Sequence, residues 1–372
     1  MNLPDSPSSS HASAEIDRFF AQEVASFTAA LAEIERQIPP DATPEKNDAI
    51  HRRLLEAFEA SQAACGAFEK QHRDQPDVIR QAQKRFLAET DPWFKQSWIG
   101  ERARTKPHGF VGDYDMLIKL YDQATPVKGF GAYLDLCIQD LQLARAVRTR
   151  LAAARAFLLD EINKRPGATR ILDVASGPCR EYRDWPAFTD RTVEVVAMDT
   201  DPHALEFVTA NVATAIPQGT TLKPVRYNAL RTTSADNTIR QFGKFDVIYS
   251  VGLCDYLTDD QLVRMFAAWR ATLNEGGVMY VAFKDCTRYD HIPYQWHLDW
   301  FFYQRTREDV LRLYESAGFD VNAIELSEDA TGIITNYLCR AASGIQRRID
   351  SAETHRPSSV SAPNRTGVSS QE

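Results

Sequence analysis

The chain has 372 residues, 44% hydrophobic and 25% charged, an ordinary globular mixture with apolar mass for one large domain or two smaller ones. No apolar run approaches the roughly 20 residues of a membrane-spanning helix, and the opening MNLPDSPSSSHAS has neither the basic nor the apolar segment of a secretory signal. A formal charge of −8 argues against a protein that coats nucleic acid, and six scattered cysteines without a C-x-x-C pair read as reduced thiols of a cytoplasmic protein.

In chain order, residues 1–13 are polar and rich in Ser and Pro, which predicts a disordered tail. Residues 14–163 predict a helical domain. Ile16, Phe19, Phe20, Val24, Phe27, Leu31 and Ile34 recur at steps of three and four, one buried helix face. Ile50, Leu54, Phe58, Cys65 and Phe68 continue the pattern in a second helix, a third covers about 76–89, and a long one covers 131–163. Between the last two lies DPWFKQSWIGERARTKPHGFVGDYDM, whose Pro, Gly, aromatic and charged residues suit a shaped loop, with a helix starting at 113.

The pattern changes at 164–168. Short β-branched runs at 170–174, 193–198, 222–227, 245–250 and 277–283 alternate with helical stretches at 178–187, 202–212, 258–274 and 306–317. Such alternation predicts an α/β fold, a doubly wound, mostly parallel sheet covered on both faces. GFDVNAIEL (318–326) and GIITNYLCR (332–340) predict a terminal antiparallel hairpin, which brings the sheet to seven strands and ends the domain at 340. Residues 341–372, rich in Ser, Arg and Pro, predict a second disordered tail.

Open parallel sheets bind ligands at the carboxyl ends of their strands. The first strand ends in Asp173-Val174-Ala175-Ser176-Gly177-Pro178, a small-residue turn that lets a ligand approach the backbone. The second ends in Asp199-Thr200-Asp201, where a carboxylate can accept from both hydroxyls of a ribose. The third ends in Asn228-Ala229, and the fourth runs into Ser250-Val251-Gly252-Leu253-Cys254-Asp255. Each alone also serves as a plain turn or a helix cap. Their succession at strand ends points to a nucleoside-bearing ligand.

With the terminal hairpin, residues 165–340 resemble a class I S-adenosylmethionine (SAM)-dependent methyltransferase. The family's D-x-G-x-G-x-G loop keeps only its middle glycine, Gly177; Ala175 is a small substitute and Pro178 removes a donor. KPHGFVGDYDM (106–116), SGPCRE (176–181), SVGLCDYL (250–257) and DWFFYQRT (299–306) are similar to a bacterial methyltransferase group whose best-known members make 3-hydroxy-fatty-acid methyl esters used as quorum signals. The resemblance implies SAM as cofactor, with Asp173, Ala175, Ser176, Gly177, Asp199 and Thr200 around it, Asn228, Ala229 and Leu230 at the adenine, and Ser250, Gly252 and Asp255 near the sulfonium. Asp113 and Tyr114 would close over it from the helical domain, although Asp113 also reads as a helix cap.

The aromatic segment 291–305 follows the fifth strand, where this fold places acceptors. It reads as an aromatic lid, as an acceptor pocket, or as both, with His297 as a polar handle, Arg305 as an anion partner and Tyr303 beside them. His291, His297 and Asp299 match no common metal spacing, so no metal is expected. The expected partner is a small molecule with an apolar portion, best matched by the carboxylate of a fatty-acid-like chain; nucleic acid and membrane insertion are not expected, and the oligomeric state is open. Competing readings are N- or O-methylation of another small molecule or of a protein, and a SAM-binding sensor or docking module without catalysis.

Overall fold

The computed structural model describes residues 7–341. Eight helices come first: α1 (Pro7–Phe19), α2 (Ala25–Glu35), α3 (Ala49–Gln71), α4 (Pro76–Phe94), α5 (Trp98–Thr105), α6 (Tyr114–Asp122), α7 (Phe130–Asp140) and α8 (Gln142–Lys164). The sheet follows as β1 (Ala168–Val174), β2 (Thr192–Asp199), β3 (Thr220–Arg226), β4 (Phe245–Ser250), β5 (Leu273–Lys284), β6 (Glu325–Glu328) and β7 (Ile334–Arg340). Helices α9 (Pro202–Val208), α10 (Ala235–Phe242), α11 (Asp259–Thr272) and α12 (Arg307–Ser316) lie between the strands.

The strand order is β3-β2-β1-β4-β5-β7-β6, with only the β5–β7 and β7–β6 pairs antiparallel. Burial on both faces explains the near-continuous apolar runs of β1, β2 and β4. Helices α8 and α9 cover one face through Ala154, Leu158, Ile162 and Val208; α11 and α12 cover the other through Phe266, Trp269, Leu313 and Tyr314. A third core, built on Phe27, Leu31, Leu54, Phe58, Phe86 and Phe94, joins the helical half to the segment after β5 through Tyr294, Trp296 and Leu298. Chain order reverses between β1 and β4, which opens a crevice at their carboxyl ends.

The structure corrects several sequence expectations. The long helix 131–163 is two helices, because Leu141 takes an extended conformation (ψ 148°) and the Leu143 N–H donates to the Tyr294 hydroxyl at 2.7 Å. The helix expected at 178–187 is a single turn at Arg180–Tyr182, since Cys179 and Asp184 adopt left-handed φ values of 50° and 55° and Pro186 follows. The strand expected at 318–326 is displaced to β6, Glu325–Glu328, on the sheet's edge, because a helical turn at Val321–Ala323 takes up the stretch before it. Helix α1 begins at Pro7, inside the stretch read as a tail; residues 1–6 and 342–372 lie outside the described residues.

Candidate functional site

A cavity of about 520 Å³ sits over the β1–β4 crevice, between the strand ends and the helical half. Its sheet wall is a set of turns. Ala175 and Gly177 take left-handed φ values of 59° and 53°, which turns the chain back on itself after β1 in a conformation that favours small residues. The Ser176 N–H donates to the Met198 carbonyl (3.0 Å), which ties this turn to β2. Asp199 completes the tie: one oxygen accepts from the Gly177 N–H at 2.9 Å and the other from the Asp201 N–H at 3.0 Å. Burial raises the Asp199 pKa, while those backbone donors oppose the rise. Thr200, Asp201 and Gly252 complete the polar wall.

The opposite wall is apolar. Leu117 and Leu120 of α6, Ile138 of α7, Leu141, and Leu143 and Val147 of α8 face the cavity, with Trp300, Phe301 and Phe302 from beyond β5. A strap at 106–112 borders the cavity. Phe110, Val111 and Gly112 line the cavity, Lys106 pairs with Asp299, and His108 Nδ1 lies 2.8 Å from Asp201 Oδ2. His108, Asp201 and His203 bring their ligating atoms within 4.8 Å of one another, a grouping that joins the 106–112 segment to the turn after β2 and so leaves no local spacing in the sequence. Two cations also reach the cavity. Lys284 pairs with Asp255, and burial lowers its pKa against the pull of that carboxylate. Arg150 of α8 is 5% exposed and lies over Gly252.

Ala175, Gly177, Asp199, Thr200, Gly252 and Tyr114 line this cavity. Other expected site residues do not line it. Asp113 is buried, caps α6 by accepting from Asp115 N and Met116 N, and accepts from Arg102 Nε at 2.8 and 2.9 Å. Asp173 is sealed beneath the loop, where burial and then the nearby Glu181 carboxylate raise its pKa well above the usual range. The Ser250 hydroxyl donates to the Val174 carbonyl at 2.9 Å and so pins β4 to β1. Asp255 holds Lys284, and the Asn228 side chain accepts from Leu230 N. The buried Ser176 hydroxyl has no protein partner.

The three expected catalytic residues are displaced from the cavity. His297 is 1% exposed, ringed by Phe27, Phe58, Phe86 and Phe94, with Nε2 3.0 Å from Ser61 Oγ. Burial, reinforced by the Arg104 charge, pushes its pKa down to about 3. It is a neutral core residue, not a base near its ordinary pKa. Arg305 is spent on Asp259 and on the Cys254 and Leu257 carbonyls. Tyr303 is 49% exposed on the outer surface, stacked on the Arg305 guanidinium. Only Pro293–His297 form a helical turn and the residues after it are irregular, so no periodicity in the sequence shows which side chains of 293–305 border the cavity.

A methyltransferase-domain family model matches residues 171–277. The chain carries a SAM-dependent methyltransferase domain. Its loops fit the cofactor: the Ala175–Gly177 turn leaves backbone room, Ser176 offers an unpartnered hydroxyl, and the Asp199 carboxylate borders the cavity. No curated protein matches the sequence. Among solved structures, the chain is similar to a possible exported protein from Bordetella parapertussis, at 18% identity and a TM-score of 0.54, over 91% of this chain and 100% of that one. That likeness takes in the helical half as well as the sheet. Magnesium protoporphyrin IX methyltransferase from Synechocystis PCC 6803 matches at 10% identity and a TM-score of 0.37, over 54% of this chain and 84% of that one. A didemethyltoxoflavin N1-methyltransferase from Burkholderia thailandensis matches at 15% identity and 0.36, over 55% and 85%. Among the described residues no helix is long and apolar enough to cross a membrane.

Proposed function

We propose that this enzyme methylates the carboxylate of a small molecule with an apolar chain, and that the helical half forms the acceptor's wall. One observation carries the reading: a single cavity joins a polar strand-end wall to an apolar helical wall. When bound, SAM supplies an electrophilic methyl group. Ala175, Ser176, Gly177, Asp199, Thr200 and Gly252 would hold it, and Tyr114 would bound it from the helical side. A carboxylate with a pKa near ~4.5 is ionised at neutral pH and needs no base. Among the described residues no histidine lines the cavity. The hydroxyls of Tyr256 and Tyr294 already accept from Trp300 Nε1 and Leu143 N, each at 2.7 Å. The aromatic side chains and the strap would exclude water, which strengthens every charge interaction inside.

The likeness of 106–116, 176–181, 250–257 and 299–306 to the quorum-signal methyl ester group supports a fatty-acid-like acceptor. The apolar wall extends beyond the cofactor loops, which favours catalysis over a sensor. Six free cysteines suit a cytoplasmic enzyme. The test is incubation of the protein with deuteromethyl-labelled SAM and straight-chain carboxylates, alcohols and amines, read by mass spectrometry. A labelled methyl ester is expected. Label only in amines or alcohols would replace the carboxylate reading, and SAM binding without label in any acceptor would favour the sensor.

A further inference from the structure

Helix α8 carries a cation where its pattern calls for an apolar residue. Leu143, Val147 and Arg150 fall at steps of four and three, so they share one face, and all three line the cavity. The two apolar side chains extend the stripe begun by Ile138 and Leu141. At about 1.5 Å of rise per residue, Arg150 lies roughly 10 Å along the helix from Leu143. It stands at the end of the stripe nearest the strand ends. A Cβ placed on Gly252 would sit 3.4 Å from both terminal nitrogens of its guanidinium, so the charge lies against the backbone just beyond β4.

This guanidinium has polar neighbours but no ion-pair partner among the described residues. Arg150 is 5% exposed, its Nε has no hydrogen-bond partner, and no ion pair forms to it among the described residues. Its polar surroundings are the Tyr121 hydroxyl oxygen, to which it donates, the Tyr256 and Tyr280 hydroxyls, the Glu181 carboxyl, which also accepts from the Tyr249 hydroxyl at 2.6 Å, and the ammonium of Lys284. Lys284 is neutralised by Asp255. Arg150 keeps an unpaired Nε at the strand-end side of the apolar stripe, where the Glu181 carboxyl acts on its charge without forming an ion pair. A buried cation in that position is costly unless an anion joins it.

We propose that Arg150 is the anchor for the acceptor's carboxylate, holding it beside Gly252 while the chain lies along Val147, Leu143 and Ile138. This rests on the carboxylate reading above and names the residue that selects the class. The planar fork of an arginine matches a carboxylate with two parallel hydrogen bonds, whereas an alcohol or amine would leave the charge unanswered. The methionine carboxylate of the cofactor is a second source of the same chemistry, and the experiment separates the two.

Full-length protein saturated with S-adenosylhomocysteine is titrated calorimetrically with octanoate, dodecanoate and dodecanol, for the wild type, Arg150→Met and Arg150→Lys. The wild type is expected to bind dodecanoate, and Arg150→Met to weaken it about 30-fold, as for loss of a charge-assisted pair. Dodecanol binding and S-adenosylhomocysteine binding by the free protein should move less than about threefold, since neither then uses the fork. Should Arg150→Met not fold, Arg150→Lys decides: about fivefold weaker dodecanoate with unchanged dodecanol supports the anchor, because a point charge replaces the fork. Unchanged carboxylate affinity, no binding of either carboxylate by the wild type, or loss of S-adenosylhomocysteine affinity in its place would overturn it. Tight dodecanoate binding without ester formation would keep the anchor and remove the methyl ester reading.

Discussion

The two walls of the cavity are held by different physics. On the sheet side, shape comes from backbone hydrogen bonds over a few residues: Asp199 clamps Gly177 and Asp201, and Ser176 N–H reaches Met198. On the helical side, shape comes from side-chain packing between elements far apart in sequence, as where Tyr294 takes the Leu143 N–H and Arg104 donates to the His297 carbonyl. On the proposed function, the first wall would recognise polar atoms at fixed positions, and the second would exclude water and tolerate variation in the molecule it surrounds. A change in the sheet wall should therefore cost cofactor affinity, and a change in the helical wall should cost acceptor affinity or stability.

The largest effect is expected at Asp199. Asp199→Ala removes a carboxylate that both borders the cofactor site and holds the loop, and should weaken S-adenosylhomocysteine by about 2–3 kcal/mol in calorimetry. Loss of acceptor affinity alone would erase the division between walls.

Next is a stability effect in the helical core. Because the folded pKa of His297 is about 3 against 6.5 when unfolded, only the unfolded chain takes up the proton between those values. The neutral folded form costs nothing above pH 6.5, and stability falls as the pH drops toward 3. From pH 7 to pH 5 this one group should account for about 2 kcal/mol, measured by denaturant unfolding, and His297→Gln should remove that share of the slope. The same placement predicts that kcat stays flat from about pH 6.5 to 8.5 with the variant's kcat following the same profile, since the imidazole moves no proton in turnover. A rate that climbs with pH and is lost in His297→Gln would return the residue to the site.

A smaller effect is expected from filling the apolar wall. Val147→Phe should raise the KM for a long-chain acceptor about tenfold and leave S-adenosylhomocysteine affinity within about twofold, since the added ring occupies only the acceptor's side. The smallest concerns the strap, whose His108–Asp201 contact is its tie to the β2 turn. His108→Ala should speed proteolysis near 102–112 a few-fold in the presence of SAM, because the strap then closes without its clasp. Equal rates would show that Lys106–Asp299 holds it alone.

The sheet wall was largely legible in the sequence. Turn chemistry is local: a small residue after a strand, a glycine, and an acid after the next strand sit within a few residues of where they act, so Ala175, Gly177, Asp199 and Gly252 could be named in advance. The same logic misplaced Asp113, Asp173 and Asp255, because a carboxylate at a strand or helix end can face the ligand or the protein, and only the fold supplied Arg102 and Lys284 as partners. Arg150 left a trace, a charge on an apolar helix face, but a helix can turn such a residue to solvent.

By itself, the sequence determined the alternation of strands and helices, the terminal hairpin and the strand-end turns, since each depends on hydrophobic period or on residues adjacent in the chain. The tertiary structure alone decided which members of the aromatic segment meet the cavity. Trp300, Phe301 and Phe302 border it, with Phe301 still half exposed, Tyr303 does not, and His297 enters the helical core. That choice follows from burial free energy summed over partners hundreds of positions away, such as Ser61, Phe27 and Phe86, and no local pattern carries it.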